Sequence, residues 1–271
     1  MVTNTASSSG LTGVALITGA GSGIGAATAR AFAAKGVSRL VLVDFAPAGL
    51  KTLEAELQSG GAQVLVVQAD VSKEAEVKDA IAEAVTAFGR IDYCVNSAGT
   101  AALGALVETS TEDWNRVMGV NITGVFLCVR EQSAQMLKQD PLASDSTDPK
   151  RQQRGSIINL ASILGTVAVP GVPAYVASKH AVVGLAKAAA VEHAGHGIRT
   201  NNIAPGWIDT PMTNNAHVAS VLEAQTQPAK TPAGRAGSAE EIADVAVFLS
   251  STEASFVNGA TWIVDGGFTS L

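Results

Sequence analysis

The sequence predicts a doubly wound α/β fold, in which one parallel sheet of seven strands is covered by helices on both faces. Short apolar runs alternate with segments of helical periodicity from one end of the chain to the other. The runs are almost continuously apolar, as strands buried on both faces require. The length of 271 residues lies at the upper end for one hydrophobic core, and the sequence has no internal repeat. We therefore expect a single domain.

The apolar runs predict the strands. In chain order they are residues 14–18, 39–44, 64–69, 91–96, 156–161, 198–204 and 261–264. Because helical segments separate consecutive runs, the strands are expected to pair in parallel through right-handed crossovers.

The periodic segments predict the helices, and glycines such as Gly36 end several of them. A first helix ends at Lys35, and the others cover residues 47–58, 73–88, 111–139, 174–194 and 238–249. Ser110 or Thr111 is the expected cap of the long fourth helix. Ser238 and Glu241 have the spacing of a capping box, which fixes the start of the last helix.

Three stretches lack this alternation of apolar runs and helical segments. Residues 1–10 are rich in Ser and Thr and are expected to form a disordered arm, which leaves residues 11–271 as the domain. Residues 139–154 are polar with two prolines and are interpreted as a solvated, mobile loop insert. Residues 206–237 follow the sixth strand and are interpreted as the segment that covers a substrate.

Composition excludes several function classes. The net charge of −6 and an aromatic content of 4% argue against nucleic-acid binding. No apolar run reaches the ~20 residues of a membrane span, and no signal peptide precedes the domain, so a cytoplasmic protein is expected. Cys94 and Cys128 are expected to be buried thiols, and no Cys/His spacing suggests a metal site. The mean hydropathy of +0.25 favours a subunit interface, and hence a homo-oligomer.

A glycine-rich segment, residues 18–25, follows the first strand and opens the first helix. Glycines allow a close approach to a pyrophosphate, and the free N–H groups of a helix start attract it. This is a Rossmann-type arrangement, although Ile24 stands where the strict G-x-G-x-x-G spacing counted from Gly19 requires glycine. Asp44 ends the second strand, where a carboxylate binds the adenosine ribose hydroxyls and repels a 2′-phosphate. Asp44 therefore favours NAD over NADP.

Further polar and small residues end the third and fourth strands, at the edge where open α/β sheets bind ligands. They are Asp70, Val71, Asn96, Ala98 and Gly99. Each of them is also compatible with an ordinary strand-to-helix turn.

Taken together, residues 18–25, residues 96–99, Asn121, Ser162, Tyr175-x-x-x-Lys179 and Pro205-Gly206 resemble the short-chain dehydrogenase/reductase family in order and spacing. The resemblance covers about residues 11–268. Ser97 departs from the commoner asparagine but remains short and polar. The resemblance implies three helices on each face of the sheet, and a dimer or tetramer built through the helices that carry Asn121 and Tyr175.

The chemistry of this family implies four catalytic residues. Tyr175 and Lys179 lie four residues apart, so both project from one helix face, and an ammonium near a phenol lowers its pKa from about 10. Tyr175 is the expected acid/base, and Ser162 is expected to stabilise the substrate oxygen. Asn121 is assigned to a water chain that carries the proton to Lys179, although a purely structural amide is also possible at this position.

The predicted dinucleotide contacts are Gly19, Ser22, Gly23, Ile24, Asp44, Asp70, Val71, Asn96, Ala98, Gly99, Tyr175, Lys179, Pro205, Ile208 and Thr210. The predicted substrate contacts are Ser162, Leu164, Val169, Trp207 and Met212, whose side chains suggest an apolar or cyclic substrate.

The sequence therefore predicts a hydride-transferring oxidoreductase that acts on a secondary alcohol or ketone with NAD. A non-redox or multistep enzyme on the same fold and a non-catalytic cofactor-binding scaffold are the alternatives. All of the catalytic-type residues are present, which argues against the scaffold but not against the other enzyme. An absorbance assay with a panel of carbonyl compounds separates them.

Overall fold

Seven parallel strands form one sheet in the order β3-β2-β1-β4-β5-β6-β7. The computed structural model describes residues 11–142, 148–214 and 231–270. The strands are β1 (Val14–Thr18), β2 (Arg39–Asp44), β3 (Gln63–Gln68), β4 (Tyr93–Asn96), β5 (Gly155–Leu160), β6 (Ile198–Pro205) and β7 (Thr261–Val264). The strand order reverses direction between β1 and β4, which places a crevice at their carboxyl ends.

Helices alternate with the strands as the periodicity predicts. They are α1 (Gly23–Ala34), α2 (Pro47–Ser59), α3 (Glu74–Phe88), α4 (Thr111–Met118), α5 (Val125–Met136), α6 (Pro173–His193) and α7 (Ala239–Ser250). The Ser238–Glu241 capping box is present, and the Ser110 side chain accepts from the backbone N–H of Asp113 at the start of α4.

The long helix predicted over residues 111–139 is wrong in its interior. A π-helical turn, Gly119–Gly124, separates α4 from α5. At Gly124 the helix packs so closely that an added Cβ would lie 2.9 Å from Cγ2 of Val71. The apolar period continues across the wider turn, so the sequence pattern gives no sign of it. Asn121 lies in this turn with its side chain fully buried.

Two apolar layers cover the sheet. On one face, side chains such as Phe32 of α1, Leu53 of α2 and Ile242 of α7 form one core cluster. On the other face, the helices α3, α5 and α6 pack into a second cluster, with Ile81 and Val129 among its members. Three helices therefore lie on each face, which confirms the predicted layering.

The edge strands differ from the prediction that every strand is buried on both faces. All residues of β1, β4 and β5 are buried. In β7, by contrast, the side chains of Trp262 and Ile263 are 37% and 46% exposed. Burial on both faces is therefore complete in these central strands and incomplete in the outermost strand β7.

The interpretation of residues 139–154 as a solvated loop is wrong for both of its ends. Gln139 is buried, and its side chain bonds the backbone N–H of Ile91 at 2.9 Å and the carbonyl of Ile91 at 2.8 Å. Gln153 is also buried and donates to the carbonyl of Ser250 at 2.9 Å. The described residues do not include residues 143–147 of this loop. They also do not include the expected arm at residues 1–10 or residues 215–230 of the expected covering segment.

Among the described helices, none combines the length and apolar character that a membrane crossing requires.

Candidate active site

The glycine-rich turn brings β1, α1 and the end of β4 into direct contact. Gly19 has a φ of +68°, and an added Cβ would lie 2.7 Å from the backbone nitrogen of Ala98. At Gly25 an added Cβ would overlap the carbonyl oxygen of Gly19. Only glycine fits at these two positions, because each backbone touches another backbone.

The start of α1 is left open for an anion. Ser22 is the N-cap residue, but its side chain makes no capping hydrogen bond, and the first turn of α1 contains no acidic residue. The N–H groups of this turn and the positive end of the helix dipole therefore face the crevice without an internal partner. This arrangement fits a phosphate group.

Asp44 combines a structural role with its predicted one. Its Oδ2 accepts from the backbone N–H of Gly21 at 2.9 Å, and its Oδ1 accepts from that of Ala46 at 2.9 Å. The carboxylate thus fixes the glycine turn and still lines the crevice with unused lone pairs.

A cleft of about 570 Å³ opens along this edge of the sheet. Ten of the predicted dinucleotide contacts line it, namely Gly19, Ser22, Gly23, Ile24, Asp44, Asp70, Val71, Ala98, Gly99 and Thr210. They come from four separate turns after β1, β2, β3 and β4 and from the segment after β6, so the fold brings distant residues to one surface.

Asn96 is an exception and does not line the cleft. It is 1% exposed, and its Nδ2 donates to Gln132 Oε1 at 3.0 Å and to Asn159 Oδ1 at 2.9 Å. Gln132 donates back to Asn96 Oδ1 at 2.8 Å. The side chain ties β4 to β5 and α5 inside the protein, because buried amides must satisfy their hydrogen bonds. Only the residues after it reach the cleft.

A second, smaller cavity of about 110 Å³ adjoins the cleft, and Met212 lines both of them. All five predicted substrate contacts line it: Ser162, Leu164, Val169, Trp207 and Met212. Tyr175 lies on its wall as well. Ser162 Oγ accepts from the backbone N–H of Leu164 at 3.1 Å, which fixes the oxygen and leaves its proton available to donate.

Lys179 and Tyr175 differ from the prediction in their electrostatics. The Lys179 ammonium donates to the carbonyl of Leu160 at 2.6 Å and lies 5.4 Å from the centre of the Tyr175 ring. Burial raises the pKa of the Tyr175 phenol, and a hydrogen bond with Ser162 lowers it in part. The expected lowering of this pKa by Lys179 is therefore wrong for this arrangement, because the ammonium is directed at a carbonyl. Burial lowers the pKa of Lys179 itself to about 8.

Asn121 clamps the turn after β4. Its Oδ1 accepts from the backbone N–H of Thr100 at 2.8 Å, and its Nδ2 donates to the carbonyl of Thr100 at 2.8 Å. The same Nδ2 lies 3.1 Å from Ser178 Oγ, which in turn donates to the carbonyl of Tyr175. Asn121 therefore holds the cleft wall and the start of α6 together.

The segment after β6 contributes fewer residues to the lining of the cleft than predicted. Pro205 and Ile208 are buried and do not line the cleft, and the carbonyl of Ile208 accepts from Thr213 Oγ1 at 2.6 Å. Thr213 Oγ1 also accepts from the backbone N–H of Thr210 at 3.0 Å. The Ile208 carbonyl is thus engaged within the protein, and of these three predicted contacts Thr210 lines the cleft.

Several lining residues escape the sequence prediction. In the cleft they include Phe45, Ser97, Thr100, Arg116 and Val120, and in the smaller cavity Leu103, Val172, Thr213 and Phe268. Arg116 Nη1 donates to Thr100 Oγ1 at 2.9 Å, and this guanidinium also pairs with Asp113. Phe268 comes from the end of the chain. These positions depend on packing between distant segments, which a local pattern does not record.

Comparisons with known proteins agree with this geometry. The family model described as enoyl-(acyl carrier protein) reductase matches residues 19–269. The short-chain dehydrogenase fogB of Aspergillus ruber is 42% identical over 266 residues, which cover 96% of this chain and 97% of that protein. The cyclohexanol dehydrogenase of an Acinetobacter species is 37% identical over 258 residues, which cover 95% of each.

Among solved structures, a short-chain type dehydrogenase/reductase from Mycobacterium marinum superposes with a TM-score of 0.84 at 32% identity, covering 95% of both chains. The fold, the arrangement of the glycine turn and the full-length similarity agree with one another. The chain belongs to the short-chain dehydrogenase/reductase family, whose dehydrogenases use nicotinamide cofactors.

Proposed function

We propose that this protein is an NAD(H)-dependent dehydrogenase that interconverts an apolar, cyclic secondary alcohol and its ketone. The observation that carries the proposal is the position of Ser162 and Tyr175 on an apolar cavity that shares Met212 with the cleft. These two hydroxyls can hold the substrate oxygen beside the cleft.

The residues of the cleft fit a nicotinamide dinucleotide. The open start of α1 would bind the pyrophosphate, and Asp44 would bind the adenosine ribose. The carboxylate of Asp44 disfavours a 2′-phosphate, which supports NAD over NADP. When bound, the cofactor supplies the hydride acceptor for oxidation and the hydride donor for reduction.

The proton is handled by the protein. In its phenolate form, Tyr175 takes the proton of the substrate hydroxyl on Oη in oxidation, and the resulting phenol returns that proton in reduction. Ser162 is held by the backbone of Leu164 and donates a hydrogen bond to the substrate oxygen, where negative charge develops. The Lys179 ammonium stays on the carbonyl of Leu160, 5.4 Å from the centre of the Tyr175 ring, and places a positive charge beside the residue that handles the proton.

Asn121 acts by position in this proposal. Both atoms of its side-chain amide are engaged by the backbone of Thr100, and its nitrogen also lies near Ser178. It therefore fixes the cleft wall relative to the helix that carries Tyr175. A water chain to Lys179 remains a separate prediction of the family resemblance.

The walls of the smaller cavity support an apolar substrate. Ala101, Leu103, Ile163, Leu164, Val169, Val172, Trp207, Met212 and Phe268 surround the two hydroxyls. No charged residue is among the described residues that line it. A rigid ring fills such a space with little loss of conformational entropy, and the similar cyclohexanol dehydrogenase carries a cyclic alcohol in its name.

The experiment is a turnover assay that follows nicotinamide absorbance with cyclohexanol and with cyclohexanecarboxylate as a charged control. We expect oxidation of the alcohol with NAD and no turnover of the carboxylate. Ser162→Ala should lower kcat by about 100-fold, whereas Ser59→Ala, an exposed serine at the end of α2, should leave it unchanged. Cofactor binding without turnover of any alcohol or ketone would support a non-catalytic scaffold instead.

We also propose that the protein is a cytoplasmic homo-oligomer. The exposed apolar side chains on regular elements include Trp262 and Ile263 of β7 and Phe126 of α5. Such patches are typical of interfaces between subunits. Light scattering after size-exclusion chromatography measures the mass directly, and a monomer would contradict the proposal.

A further inference from the structure

A tight turn follows β7. Gly266 and Gly267 have φ values of +61° and +89°, which only glycine adopts readily. The carboxylate of Asp265 accepts from the backbone N–H of Gly267 at 2.8 Å, and from the backbone N–H and hydroxyl of Thr269 at 2.8 and 2.7 Å. We call residues 265–270 the C-terminal turn. The carboxylate of Asp265 accepts all three of these hydrogen bonds and so fixes the C-terminal turn.

Close backbone contacts hold the C-terminal turn against the site. An added Cβ at Gly206, which lines the smaller cavity, would lie 2.7 Å from Cβ of Asp265. The backbone N–H of Ala233 donates to the carbonyl of Gly266 at 3.0 Å. An added Cβ at Gly266 would also meet Thr231 at 2.8 Å. The C-terminal turn therefore lies between Gly206, which lines the smaller cavity, and the segment that begins at residue 231.

Phe268 is the side chain that this turn presents to the cavity. It is half-buried and lines the same space as Ser162, Tyr175 and Trp207. Its position is set by Asp265 three residues earlier, whose carbonyl also accepts from the Phe268 backbone N–H at 3.3 Å. A large, rigid ring held in this way limits the volume available to a substrate.

We propose that Phe268 determines the size of the ring that the cavity accepts, and that Asp265 is the positioning residue that holds Phe268 in place. This inference rests on the proposed function, because it concerns the substrate of the same site. It predicts that substrate selectivity is set in part by the last residues of the chain, outside the segment at residues 206–237 that the sequence singled out.

The test compares kcat/KM for cyclohexanol and for the larger bicyclic alcohol 2-decalol in the full chain. Phe268→Ala should shift the ratio in favour of the bicyclic alcohol by at least about tenfold, since one pocket methylene already discriminates by about that factor. Phe268→Leu should give an intermediate shift. Phe256→Ala removes a fully exposed phenylalanine and should leave the ratio unchanged. An unchanged ratio in Phe268→Ala would overturn the inference.

A separate pair of variants tests the role of Asp265 as the positioning residue. Asp265→Ala should shift the same ratio in the same direction as Phe268→Ala, whereas Asp265→Asn, which keeps one acceptor oxygen, should retain most of the wild-type ratio. A purely structural role would lower the yield or the stability of Asp265→Ala without moving the ratio. That outcome would overturn the assignment of Asp265.

A binding measurement separates this inference from the proposed function. Calorimetric titration of the protein saturated with NAD⁺, which cannot react with a ketone, with cyclohexanone and with 2-decalone gives the ratio of the two Kd values. If the wild type turns over no alcohol, the proposed function fails. A shift of the Kd ratio by Phe268→Ala then still supports the role of Phe268, and an unchanged Kd ratio refutes it.

Discussion

Replacing Lys179 by Met should make the protein more stable at neutral pH while it removes activity. Lys179 is 4% exposed, and burial lowers its pKa from 10.5 to about 8. A difference of this size corresponds to about 3 kcal/mol of cost for holding the ammonium charged in the folded state at pH 7. Met removes that cost but leaves the carbonyl of Leu160 without its donor, which costs about 1–2 kcal/mol. The net gain in the free energy of unfolding is therefore about 1–2 kcal/mol.

The sign of this effect depends on pH. The folded state holds the Lys179 proton less tightly than the unfolded state, so the wild type gains stability as the pH rises from about 8 towards 10.5. The wild type is less stable than Lys179→Met at pH 7. This difference in the free energy of unfolding should shrink over that range and then reverse, because only the wild type has a donor for the carbonyl of Leu160.

The assay is urea unfolding of both proteins at one concentration and at several pH values between 7 and 10. Lys187→Met removes an exposed lysine from the same helix and should change stability little at any of these values. A Lys179→Met protein that is less stable at pH 7, by an amount independent of pH, would refute the reasoning.

Three further predictions concern the cleft. Asp44→Asn removes the charge but keeps one acceptor for the glycine turn, so the preference for NAD over NADP in kcat/KM should narrow by at least about tenfold. Gly25→Ala forces a side chain against the carbonyl of Gly19 and should lower the free energy of unfolding by about 1–3 kcal/mol in a urea titration. Arg116→Met removes the donor to Thr100 Oγ1 and should raise the KM for NAD by about fivefold at unchanged kcat.

Each of these changes has a matched control. Asp209→Asn changes an exposed acid outside the cleft lining and should keep the cofactor preference. Gly184→Ala on α6 meets nothing within 4 Å and should not destabilise the protein. Arg30→Met breaks an ion pair with Glu56 outside the cleft and should keep the KM. If a control and its partner variant behave alike, the corresponding contact in the cleft does not have the stated role.

The sheet could be predicted from sequence because its central strands are buried on both faces. Residues 14–18, for example, have no polar side chain before Thr18, and every residue of β1 is buried. The glycine turn could also be predicted, because a backbone contact with Gly19 inside one βα unit requires glycine at Gly25. The contact of Gly19 itself is with Ala98 after β4, so it is not local. Local chemistry and local geometry agree at Gly25.

Asn96 illustrates where local chemistry misleads. A polar residue at the carboxyl end of a strand has the pattern of a ligand-binding residue, yet its partners Gln132 and Asn159 lie 36 and 63 residues away. The same applies to Lys179, whose helical spacing from Tyr175 is right but whose ammonium binds the carbonyl of Leu160. A one-dimensional pattern fixes which face a side chain occupies, but the choice between competing acceptors depends on tertiary packing.

Phe268 illustrates what the sequence leaves out altogether. Nothing in the residues around it indicates that the chain turns back to the cavity, because the contacts that fix the turn come from Gly206 and from residues 231–233. The π-helical turn around Asn121 is similar, since its apolar period continues unbroken from α4 to α5.

The most direct test of the central claim is the rate of a single turnover by Tyr175→Phe with NAD and cyclohexanol. The chain has two tyrosines, and the other, Tyr93, is buried in the core with its ring stacked on Phe32. We expect Tyr175→Phe to lose activity by at least about 100-fold, and Tyr93→Phe to keep it. A Tyr175→Phe protein that oxidises the alcohol at the wild-type rate would contradict the account.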